Sequence, residues 1–429
     1  MFDFTPCACN SDRVSRRNFL RAAFGGAGGL AMAPFAFAQD TKVKEEKKKG
    51  GTGGKGKAKS VILLWMGGGP SQLDTFDPKA GHENGGPFKA LDTAVKGVQI
   101  SEHLPTVAAQ MQNLALVRSI YTGEPEHFRA SYMMHTGVKF LESFPYPSMG
   151  SLISYELSDT LDTPGYVSVG SGSFGPTFLG YEHAPFVIDN PNGALQMLRD
   201  AMRQKETLKL ADELSAEFDA TRGGLNVKKR DTFYERIEKI LESSFSKALD
   251  INQEPQELRD AYGKGRFGQG CLLARRLVQA GVKFIEVHLG GWDTHENNFD
   301  RTQKLMGELD PGFGTLVRDL KEKNLLDETL VLWMGEFGRT PMINKDKGRD
   351  HWANGFSIVI GGGGVQGGRL VGETDKTGCQ ITREPTKVAD LLATIYSSVG
   401  IDPKKKYYSP QGSLVKATED GEPIKKLLA

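Results

Sequence analysis

Cysteine is scarce in this chain: four in 429 residues, at Cys7, Cys9, Cys271 and Cys379. Two stand near the N-terminus and the others lie far apart, which excludes a disulfide framework and any cysteine-based metal site. A dominant charge sign is also missing. Lys and Arg total 54 against 53 Asp and Glu, a net charge of +1, so no global field draws nucleic acid or an acidic partner. Long apolar runs are absent too. The stretch AAFGGAGGLAMAPFAFA (residues 22–38) is broken by glycines and Pro34, which excludes a stable transmembrane span after cleavage. No internal repeat is visible.

What the front end does contain reads as an address. Ser15-Arg16-Arg17-Asn18-Phe19-Leu20 matches a twin-arginine export signal, and Ala36-Phe37-Ala38 before Gln39 is an A-x-A cleavage site. Residues 1–38 are expected to be a signal peptide that engages the twin-arginine translocase. The mature chain is then periplasmic or extracellular. Because that route carries folded proteins, a cofactor can be loaded beforehand. Residues 39–59, Lys- and Gly-rich with no apolar periodicity, read as a flexible linker. Residues 60–429 follow as one large domain, and the whole chain has ordinary hydrophobic (38%) and charged (25%) content.

Short apolar, β-branched runs predict strands buried on both faces at Ser60–Met66, Leu114–Ile120, Val282–Leu289, Thr329–Met334 and Phe356–Ile360. Helical periodicity predicts helices at Gly270–Ala280 and Val388–Gly400. From about residue 190 to 264, apolar residues at helical spacing among many charges predict a helical insertion over the sheet. Strands alternating with helices imply an α/β fold with a mostly parallel sheet.

In such sheets ligands bind beyond the carboxyl ends of the strands, and here those ends carry chemistry. After Met334 come Glu336, Arg339 and Thr340, then Arg349, Asp350 and His351. The plain reading pairs Glu336 with Arg339. After the Val282–Leu289 strand come Asp293 and His295, a mixed oxygen and nitrogen set suited to zinc, manganese or iron. After the first strand, Gly67–Gly69 precede Ser71, Asp74, Thr75 and Asp77, where backbone N–H groups suit an anion. His127 and Arg129 stand at the entrance of a helix, another anion-favouring position, while His135 is expected to face packed neighbours. Cys271 reads as a small buried hydrophobe.

Taken together, GGGPSQLDTFDPK, the His127–Gly137 segment, GGWDTHENN, LVLWMGEFGRTP, GRDHWANGFS and ADLLATIYSSVGID resemble the exported family labelled domain of unknown function 1501. That family stands within the alkaline-phosphatase-like, sulfatase-like superfamily of metallohydrolases. The resemblance runs from Ser60 to about Pro403. It implies a three-layer α/β/α sandwich and a metal-dependent hydrolase of phosphate or sulfate esters, small-molecule or glycan. One or two divalent ions, zinc or manganese, would be held by Asp74, Asp293, His295, Glu336 and His351, with Asp350 a ligand or the group orienting His351. The acid at the first strand comes later than in relatives. HFRASYMMHTG resembles the sulfatase segment that opens on a Cys nucleophile, and His127 occupies that place, which excludes chemistry through a modified Cys. His127 is then a ligand or a nucleophile, Thr75 and Ser131 are alternative hydroxyl nucleophiles, and Arg129 and Arg339 would neutralise the non-bridging oxygens. The competing expectation is a non-catalytic exported binding protein on the same fold.

Overall fold

The computed structural model describes residues 56–159, 163–203 and 239–428. The signal segment and the linker up to residue 55 lie outside the described residues, as does the middle of the expected helical insertion.

The expected strands form, each within two residues of its predicted ends. In chain order the main sheet contains β1 (Ser60–Trp65), β2 (Leu114–Tyr121), β3 (Tyr166–Val169), β4 (Phe186–Ile188), β5 (Phe284–His288), β6 (Thr329–Met334), β7 (Phe356–Gly361), β8 (Leu370–Val371) and β9 (Thr386–Lys387). Their order is β8-β2-β7-β6-β1-β5-β3-β4, with β9 also beside β2. Every pairing is parallel except those of β7, which runs antiparallel to β2 and β6. The sheet is therefore mostly parallel, as expected. The carboxyl ends of β1, β2, β3, β5 and β6 open at one edge, and β7 starts from that same edge.

Side-chain alternation sorts β1 between two cores. Ile62, Leu64 and Met66 face one cluster, with Val107, Leu273 and Leu316 of α1 (Pro105–Gln110), α4 (Arg266–Gln279) and α5 (Asn298–Glu322). Val61, Leu63 and Trp65 face the other, with Met134, Leu152 and Leu392 of α2 (His127–Thr136), α3 (Met149–Leu157) and α6 (Val388–Ser398). Both faces of the strand are dry, so each such side chain contributes about 1.5–3 kcal/mol. This is the three-layer α/β/α arrangement. The described ends of the expected insertion supply Leu198, Ile240 and Phe245 to the first cluster. Cys271 is buried there as a free thiol. Among the described residues no helix is long and apolar enough to cross a membrane.

Candidate metal centre

Three histidines meet at the carboxyl edge of the sheet, each gripped from behind. His127, the first residue of α2, places Nδ1 2.8 Å from Oε1 of Glu336, which follows β6. His295, in the loop after β5, places Nδ1 2.8 Å from Oδ1 of Asp350. His351, which leads into β7, places Nδ1 2.7 Å from the carbonyl oxygen of Pro125. Carboxylate and carbonyl oxygens accept only, so Nδ1 carries the proton in each ring and Nε2 is left to act outward.

All three Nε2 atoms face one carboxylate oxygen. Asp293 Oδ1 lies 3.0 Å from His295 Nε2, 3.4 Å from His351 Nε2 and 3.5 Å from His127 Nε2. His295 Nε2 and His351 Nε2 are themselves 3.0 Å apart. Two imidazole lone pairs repel at that separation unless a proton or a cation lies between them. Atoms each bound about 2.0–2.1 Å from a tetrahedral zinc would be about 3.3 Å from one another. The ligand atoms of His127, Asp293 and His351 all fall within 4.8 Å of one another. Donor chemistry, anchoring and spacing thus fit a divalent cation.

The electrostatics of these side chains agree with that fit. Burial disfavours the charge on Asp293, but the hydrogen bond and charge of Arg339, with His295 and His127, hold it below its ordinary value. Burial pushes His351 below the usual histidine value, and Arg339 and His127 push the same way. The hydrogen bond to Glu336 raises His127, so a cation on its Nε2 competes with a proton.

The first-strand glycines set this geometry from inside the protein. Gly68 sits at φ +112°, and a Cβ there would lie 2.4 Å from the Asp293 nitrogen. Its own N–H donates to Glu336 Oε1 at 2.8 Å. The anion expected at this loop is therefore the chain's own carboxylate. Glu336 is buried, and its Oε2 has no hydrogen-bond partner, a costly arrangement unless something binds it.

Residues 58–428 match the family described as Protein of unknown function (DUF1501). The chain belongs to that family. No curated protein matches its sequence. Among solved structures, the DUF1501 chain is similar to a protein in the alkaline phosphatase superfamily from Vibrio parahaemolyticus, at 14% identity and TM-score 0.36, covering 88% of this chain and 71% of that one. It is similar to the PsFucS1 sulfatase from Pseudoalteromonas sp. at 13% identity and TM-score 0.39, covering 81% and 68%. For the alkaline phosphatase from the Antarctic bacterium TAB5 the figures are 13%, 0.32, and 72% and 92%.

Other expected site residues of the DUF1501 chain fall elsewhere. Asp74 is fully buried away from the histidines. Its carboxylate takes Arg349 at 2.7 and 3.1 Å and Asn298 at 2.8 Å, which leaves it a structural ion. Arg339 does not pair with Glu336. Its guanidinium donates to Asp293, to the carbonyls of Gly69 (2.9 Å) and Arg349 (3.2 Å), and to that of Gly68. Those donors are spent on the protein itself. Arg129 is exposed on the first turn of α2. The N–H groups expected to attract an anion there are capped by Glu126, which accepts from Phe128 at 3.0 Å and Arg129 at 2.9 Å. Asp350 orients His295, not His351. Thr75 is buried with its hydroxyl donated to the Ser71 carbonyl at 2.7 Å.

Sequence reasoning missed a second group on the α2 side of the sheet. Glu286 of β5 lies 3.1 Å from both His135 and His288, and accepts from the Tyr166 hydroxyl at 2.6 Å. The signal was present in FIEVH: Glu286 and His288 are two apart, so they share one face of a buried strand.

Proposed function

We propose that this chain is an exported, metal-dependent hydrolase of phosphate or sulfate esters. The observation that carries the reading is the convergence of three Nδ1-anchored imidazoles on Asp293. His127, Asp293, His295 and His351 would hold the ion, with zinc or manganese the best match to this mixed nitrogen and oxygen set. When bound, a divalent ion supplies Lewis-acid polarisation of an ester oxygen and activation of water. The chain's own part is orientation. Glu336, Asp350 and the Pro125 carbonyl fix the three rings, and Arg339 fixes Asp293 against the glycine loop. The Asp293 and His295 side chains are each 45% exposed, so a ligand can approach from solvent. Export rests on the twin-arginine motif and the A-x-A site, and it makes the translocase a transient partner.

One observation favours a second reading, a non-catalytic exported binding protein. Arg339 is occupied and Arg129 is exposed, so neither is poised to stabilise charge on a transferring group. A screen of phosphate and sulfate monoesters with the zinc- or manganese-loaded mature chain separates the two. Turnover abolished by His127→Ala supports the hydrolase, and metal binding without turnover supports the binding protein.

A further inference from the structure

Beside the metal centre a cavity of about 630 Å³ is lined by His127, Trp65, Phe174, Glu286, His288 and the loop Gly170–Ser173. No lysine or arginine lines it. Apart from its histidines, two of which lie against the Glu286 carboxylate, the lining carries no cation for an anionic group, and it offers aromatic faces and the Ser171 hydroxyl. It suits the uncharged, hydroxylated alcohol portion of an ester whose anionic portion sits at the metal centre.

The two histidines around Glu286, His135 buried and His288 partly exposed, differ in one respect. His135 has both ring nitrogens engaged, Nδ1 by the Ser131 carbonyl at 2.7 Å and Nε2 by Glu286 at 3.1 Å. That is a closed, structural arrangement. His288 is engaged on one side only. Its Nε2 lies 3.1 Å from Glu286 Oε1 and 3.0 Å from Ser168 Oγ. Ser168 gives its own proton to the Ser171 carbonyl at 2.8 Å, so both neighbours of Nε2 can only accept. Nε2 is therefore the protonated nitrogen in every state, and Nδ1 is the nitrogen that gains or loses a proton. Among the described residues Nδ1 has no protein partner, and the ring borders the cavity.

We propose that His288 is the residue that protonates the departing alcohol in this cavity, held in register by Glu286. The proposal rests on the ester-hydrolase reading above. As the bond from phosphorus or sulfur to the ester oxygen breaks, its electron pair stays on that oxygen. The Nδ1 proton of the His288 imidazolium moves to it and releases a neutral alcohol. Neutral His288 keeps Nε2–H on Glu286, and the water that supplies the new oxygen returns the proton to Nδ1. Tyr166 and His135 hold Glu286 from its other sides and are positioning residues.

The leaving group supplies the test. Para-nitrophenolate departs without a proton, whereas the alkoxide of a sugar does not. The metal-loaded mature chain and its His288→Gln variant are compared on para-nitrophenyl and glucose monoesters. Glutamine keeps an amide donor toward Glu286 but cannot exchange a proton. The proposal expects a loss of about 10²–10⁴-fold on the glucose ester and less than about tenfold on the nitrophenyl ester. Equal losses on both, or none, overturn it while leaving the hydrolase reading intact. A wild type that holds metal yet turns over neither ester overturns that reading and this one with it. A second measurement needs no variant: wild-type rates across phenyl esters of rising leaving-group basicity. A shallow dependence supports proton donation, and a steep one contradicts it.

Discussion

Nδ1 of His127 and Oε1 of Glu336 stand 2.8 Å apart, and the same oxygen accepts from the Gly68 nitrogen at 2.8 Å. One carboxylate thereby joins α2, the loop after β6 and the loop after β1, and aims His127 Nε2 at Asp293. Glu336→Gln removes the charge and keeps the shape. The expected result is a fall in metal affinity of about 10–100-fold, read by competition with a chelator. Unchanged affinity would show that Glu336 does not position the ligand.

Asp74 and Arg349 are both fully buried, with a 2.7 Å contact between them. Removing one partner leaves an uncompensated buried charge. Asp74→Ala should cost about 3–5 kcal/mol in chemical denaturation. Metal content per folded chain should stay at the wild-type level. Loss of metal without loss of stability would instead make Asp74 a ligand.

The Glu286–His135 pair predicts how stability changes with pH. Burial disfavours both charges, but the partner's charge and hydrogen bond, joined by the Ser131 carbonyl at His135 and by His288 at Glu286, together outweigh that penalty. His135 is raised above its ordinary 6.5 and Glu286 held well below 4.5. The geometry agrees, since both His135 nitrogens face acceptors. A depressed carboxyl stabilises the native state above its unfolded value and loses that effect as pH falls through its folded one. A raised histidine stabilises below its unfolded value and loses that effect as pH rises through its folded one. The pair therefore contributes most between those two ordinary values and less as pH climbs above 6.5. Melting temperature should fall over that upper range, and His135→Gln should flatten the fall. An identical profile in the variant would contradict the pairing.

The legibility of the sequence divides along physical lines. TLVLWM and SVILLW announced themselves because a strand buried on both faces is a contiguous apolar run. β3 and β4 were missed because each is short and flanked by polar loops. Asp293 and His295 were legible as a pair because one loop carries both. The anchors were not, because Pro125, Glu336 and Asp350 reach their histidines from distant parts of the chain. Charge type alone also misled. Arg339 is the right cation in the right loop, yet the carbonyls of Gly68 and Gly69 occupy it.

The most direct test of the account is the metal content of the purified mature chain after incubation with zinc or manganese, beside His127→Ala and His351→Ala. The account predicts tightly held metal in the wild type, sharply reduced in each variant while the fold is retained. A well-folded wild type that takes up neither metal would contradict it.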